Sequence, residues 1–70
     1  MIGDAELANR FTYHAPKGDQ QIRYEMIRDR AHGLAAFLDE KCPDSREKSL
    51  ALTHLEDAVM WANASIARNE

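Results

Sequence analysis

Apolar residues recur at steps of three and four along two long stretches of the chain, the spacing of one face of an α-helix. In the first stretch Tyr24, Ile27, Ala31, Leu34 and Leu38 fall in register, which predicts a helix from about Gln20 to Lys41. In the second, Leu52, Leu55, Val59, Ala62 and Ile66 do the same and predict a helix ending near Ala67. Cys42-Pro43 closes the first of these helices. Asp44 is the expected N-cap of the second, with Glu47 three residues on to complete a capping box. A shorter helix is expected from a cap at Asp4 to about Arg10, where Leu7 and Phe11 are spaced to share a face. Between it and the long helices, Pro16 biases Ala15 towards an extended conformation, Gly18 permits a turn, and Asp19 stands at an N-cap position. Gly33 lies inside a helix at a cost of about 1 kcal/mol against alanine. It either admits another helix at close range or is merely tolerated. The expected fold is all-α: a short N-terminal helix, then a long antiparallel helical hairpin, with residues 1–70 forming a single helical domain.

The last helix carries a second stripe, Ala51, His54, Ala58, Trp61 and Ser65. One stripe is enough to pack a hairpin. The alternative is that the short first helix covers the second stripe, but it is short for five positions spread over more than three turns. The second stripe therefore predicts a helical partner from another subunit, and so a homo-oligomer. Size points the same way. A 70-residue chain buries little surface alone, and folds this small draw on disulfides, metals or partner subunits. Cys42 is the only cysteine, so no disulfide forms within the chain. A lone thiol with no leader-like N-terminus fits a reducing cytosol. No stretch approaches the roughly 18 apolar residues of a membrane helix.

The net charge of −3 argues against a general binder of DNA or RNA polymers, but the charge is unevenly placed. Residues 10–30 hold five basic residues against three acidic, whereas both flanks are acidic. The same segment holds Phe11, Tyr13 and Tyr24. Aromatic faces beside cations suit a small anionic ligand that contains bases. The plain alternative is a solvated helix face with ordinary ion pairs. The loop around Pro16, with its aromatic and basic residues, is a better ligand element than the turn at Pro43.

Catalytic chemistry is hard to find. His14, His32 and His54 are far apart, and with Cys42 they give no zinc-site spacing. Asp29 with His32, and His54 with Asp57, have the i, i+3 spacing of a di-iron bundle, but the glutamates such a site needs are missing. Ser45 and Ser49 sit where serine belongs at a helix start. No metal, cofactor or catalytic residue is expected.

Four runs of sequence carry a family resemblance. They are Asn9-Arg10-Phe11-Thr12-Tyr13-His14-Ala15-Pro16-Lys17, Arg23-Tyr24-Glu25-Met26-Ile27-Arg28, Pro43-Asp44-Ser45-Arg46-Glu47-Lys48-Ser49-Leu50-Ala51-Leu52, and the stretch from Ala58 to Asn69. Through them the chain resembles the small phage proteins that act as cyclic-oligonucleotide sponges against the bacterial CBASS immune system. The resemblance implies a compact helical homohexamer in the cytoplasm of the infected host. It would bind cyclic dinucleotides and cyclic trinucleotides of the cyclic GMP-AMP type without degrading them. By motif match, Tyr13 is the stacking candidate, with Lys17, Arg28 and Arg30 as phosphate candidates in the dinucleotide pocket. Arg68 is the candidate for a separate trinucleotide pocket. Tyr24 and Trp61 read as core or interface residues instead. Two other functions compete: a helical adaptor that binds a host polypeptide through the second stripe, and a phosphodiesterase of the same signals.

Overall fold

A computed structural model describes all residues, Met1–Glu70. It contains three helices and no strand: α1 (Asp4–Phe11), α2 (Gln20–Lys41) and α3 (Arg46–Asn69). The all-α fold with a short first helix and a long hairpin is the one expected from the apolar spacing.

The helix starts differ in detail from the expected ones. Gly3, not Asp4, takes the N-cap of α1. Asp4 and Glu6 instead lie in the first turn, where negative charge complements the helix dipole. Glu6 also pairs with Arg10 one turn on, at 2.9 Å. Asp19 does cap α2 by position, but its carboxylate accepts no helix amide. It takes Arg23 Nε at 3.2 Å instead. Gly18 just before it adopts φ 57°, a left-handed conformation that favours glycine.

The α3 cap is displaced by one residue. Ser45 Oγ accepts the Lys48 amide at 3.1 Å, so Ser45 is the N-cap, and Glu47 makes no return bond to it. The Asp44 carboxylate is left free to meet Lys48 Nζ at 2.9 Å. The same ammonium reaches the Asp39 carboxylate at 2.9 Å and the Asp39 carbonyl at 2.8 Å. Lys48 thus ties the end of α2 to the start of α3. Hydrogen bonds to Asp39 and Asp44 hold its pKa above the usual lysine range, and the bond from Lys48 lowers that of Asp44.

α2 and α3 pack along one another as an antiparallel hairpin. The α3 side of the seam is the expected stripe, Leu52, Leu55, Val59, Ala62 and Ile66, all half-buried. The α2 side is Tyr24, Ile27, Ala31, Ala35 and Leu38. Leu34, expected in the seam, is 47% exposed, and Ala35 takes its place. Apolar residues surround α2 almost completely, so spacing alone does not select a face. The small pair Ala31 and Ala35, one turn apart, lets the larger side chains of α3 fit against the α2 backbone.

The seam is shallow. No apolar residue is fully buried, and the only buried residue is Gln20, at 4% exposure. The chain measures 46 × 32 × 13 Å, close to one helix diameter in its thinnest direction. Its radius of gyration is 15.4 Å, against about 11 Å for a compact domain of this length. It exposes 5707 Å², whereas a folded monomer of this mass exposes about 4,500 Å². The second stripe on α3 lies uncovered by α1, with Trp61 67% exposed. No helix is long and apolar enough to cross a membrane.

Candidate functional site

The loop between α1 and α2 is short, polar and held at both ends. At the α1 end the Thr12 amide donates to Ala8 O at 2.9 Å, and the His14 ring meets Asn9 O through Nε2 at 2.7 Å. At the α2 end the Lys17 amide donates to Gln20 Oε1 at 3.1 Å, and the Gln20 amide donates back to Lys17 O at 3.1 Å. Between these anchors Tyr13 projects with 83% of its surface exposed. An aromatic ring held out into solvent on a tethered loop is a ready stacking surface for a base.

The cations divide into engaged and free. Arg10, Arg23, Lys41 and Lys48 are in ion pairs, and Lys17 Nζ donates to Glu70 O at 2.8 Å. Arg28, Arg30, Arg46 and Arg68 make no hydrogen bond or ion pair within the chain. Three of these four are arginines named from the sequence. A guanidinium presents five donors in a planar fork and suits phosphate well, so these three, with Arg46, are the chain's open anion-binding groups.

Their placement separates them. Arg28 and Arg30 are two residues apart and therefore point about 160° apart around the helix. Arg28 lines a cleft of about 360 Å³ on one flank of the seam, with Ala31, His32, Leu52, Glu56 and Met60 among its neighbours. Arg30 lines another of about 280 Å³ with Arg23, Met26, Ile27 and Ile66. Arg68 lies on the outer face of α3, in a shallow cleft with Met60, Trp61 and Ala64. Tyr13 and Lys17 line none of the three clefts. Within one chain, then, the five candidates fall in four places: the loop, each flank of the hairpin, and the back of α3.

Sequence reasoning missed the group that anchors the loop. Gln20 Nε2 donates to Glu70 Oε1 at 3.4 Å, and Arg23 grips the Glu70 carboxylate through both terminal nitrogens, Nη1 to Oε2 at 2.9 Å. The Arg23 hydrogen bond is the main cause that pulls the Glu70 carboxyl from 4.5 down to about 2, and Gln20 and Lys17 add to it. Glu70 in turn pushes the Arg23 guanidinium above its usual range. Arg23 carried a signal, since it opens one of the four family-like runs. Gln20 and Glu70 carried none, because fifty residues separate them.

Comparison with known proteins completes the picture. Residues 3–67, nearly the whole chain, match the family model described as Acb2/Tad1, hairpin domain. No curated protein and no solved structure matches the chain.

Proposed function

The chain belongs to the Acb2/Tad1 hairpin-domain family, the anti-CBASS sponge family that its sequence resembles, and from this we propose that it sequesters cyclic di- and trinucleotide second messengers of the cyclic GMP-AMP type. It holds them without cleaving them, in the cytoplasm of an infected bacterium, and so keeps them from CBASS effectors. The family match over residues 3–67 carries this reading. Two features of the chain support it. Tyr13 offers a solvent-facing ring, and Arg28, Arg30 and Arg68 have no partner within the chain.

The working unit in this reading is a homohexamer. A single chain exposes about 1,200 Å² more than a compact monomer of its size, more than the roughly 800 Å² that each partner loses in a standard interface. The uncovered α3 stripe and the flat outline give that surface a place to pack. Assembly also answers the scatter of the candidate residues. Tyr13 and Lys17 from one copy, with Arg28 or Arg30 from another, make a dinucleotide pocket that no single chain owns. Copies of Arg68, meeting beside Trp61 around a symmetry axis, make the trinucleotide pocket.

The test is capture and release. The protein is mixed with cyclic GMP-AMP, freed of unbound nucleotide and heat-denatured, and the supernatant is assayed. Intact nucleotide returned in proportion to protein is the expected result. Cleaved product would make the chain an enzyme. No retained nucleotide would favour the helical adaptor, to which the exposed α3 stripe would then belong.

A further inference from the structure

Every hydrogen bond that joins residues 1–23 to α3 and its C-cap ends on that cap, Glu70. Lys17 Nζ meets its main-chain oxygen, and Gln20 and Arg23 meet its carboxylate. Gln20 is the hub of this clasp and the one buried residue of the chain. Its oxygen takes the Lys17 amide from the loop while its nitrogen reaches Glu70. At the other end of the loop, His14 bonds only to Asn9, within its own stretch of chain. Without the Glu70 side chain, the one polar tie left between the Tyr13 loop and the end of the far helix is the bond of Lys17 Nζ to a main-chain oxygen, and Gln20 and Arg23 lose their anchor.

We propose that Glu70 is a positioning residue for the cyclic dinucleotide site, holding the loop of Tyr13 and Lys17 in its binding pose without touching the ligand. The proposal rests on the sponge reading of Tyr13. An ammonium has three donors, and Glu70 O takes one of those on Lys17, so the clasp aims the other two rather than consuming the charge. Gln20 and Arg23 act through the same anchor. Free of it, the loop samples other poses, and a nucleotide must order it again on binding.

Calorimetry with cyclic GMP-AMP on four proteins tests this: the wild type, Glu70→Ala, Tyr13→Ala and the double variant. Glu70→Ala should weaken binding about two- to tenfold, the range for ordering one flexible side chain on binding. Glu70→Gln keeps an acceptor for Gln20 and should lose less. It carries the same comparison if the alanine variant loses its assembly. In the Tyr13→Ala background, removing the Glu70 side chain should cost clearly less than it does in the wild type, because one of the two groups that the clasp positions is gone. Equal losses in both backgrounds would mean a purely structural role and overturn the proposal, as would unchanged affinity in Glu70→Ala. Backbone order parameters of residues 12–18 in the free protein give an independent reading. They should fall in Glu70→Ala. If the wild type binds no cyclic dinucleotide, the sponge reading fails, and these order parameters alone decide the clasp. Unchanged values would refute it.

Discussion

In the proposed function, Tyr13 and the free arginines make separable contributions, one from a ring face and the other from charge. Stacking a base on an aromatic ring is worth about 1–3 kcal/mol. Tyr13→Ala should therefore weaken cyclic dinucleotide binding roughly ten- to a hundredfold by calorimetry, with the oligomer intact. Arg28→Ala should weaken it too, and that loss should shrink as salt rises, since screening already weakens an exposed charge contact. Arg68→Ala should lower trinucleotide affinity and spare the dinucleotide. Parallel loss of both ligands in each variant would show one pocket, not two. At this scale the candidates stand out in the sequence by conspicuous chemistry: an aromatic and a lysine near a proline, and arginines in family-like runs. Proximity in sequence is not proximity in space. Arg28 and Arg30 look like one basic cluster, yet helix geometry sends them to opposite flanks of the hairpin. Lys17 looks free in the sequence and is bonded to a residue 53 positions away.

The three helices were legible because their apolar spacing is regular and their breaks hold proline and glycine. The caps were less so. Asp44 and Ser45 are both good N-cap residues, and only the position of Lys48 decides between them. Its ammonium draws the Asp44 carboxylate away, and its amide goes to Ser45 Oγ. Ser45→Ala should accordingly destabilise the protein by about 0.5–2 kcal/mol, seen as a lower denaturation midpoint. Asp44→Ala removes only an exposed ion pair and should do less. The opposite order would return the cap to Asp44. At the other end of the hairpin, the Glu70 carboxyl is held at about 2, below its ordinary 4.5. A carboxyl depressed by folding contributes stability that is fully present above its unfolded value and is lost as pH falls through its folded one. The Glu70 clasp should therefore hold at pH 5 and above and open between about pH 4.5 and 2. Amide chemical shifts near Gln20 and Arg23 should titrate in that window and stop doing so in Glu70→Gln. An unchanged titration in Glu70→Gln would assign it to other carboxylates. The α2 seam shows the limit of periodicity. With apolar residues all round the helix, Leu34 and Ala35 fit the pattern about equally, and packing against α3 chose the smaller.

The hairpin has a seam but no buried apolar core, and the whole-molecule account follows from that. A chain whose extra burial comes from its neighbours should melt at a temperature that rises with protein concentration. Trp61 stands exposed on a single chain, so Trp61→Ala should act on assembly rather than on the hairpin seam. Burial of a large aromatic at an interface puts that loss at about 3–5 kcal/mol. The sequence reads as needing a partner, through a second stripe too long for α1 to cover, but does not say which stripe would meet which in the proposed assembly. Sedimentation with a fluorescent cyclic dinucleotide tests the central claim most directly, because it reads binding and assembly in one boundary. The nucleotide should travel with a particle several times the 8.0 kDa chain and leave none of its signal at monomer mass. Nucleotide that sediments with a single chain, or that stays free above an assembled protein, would contradict pockets shared between subunits.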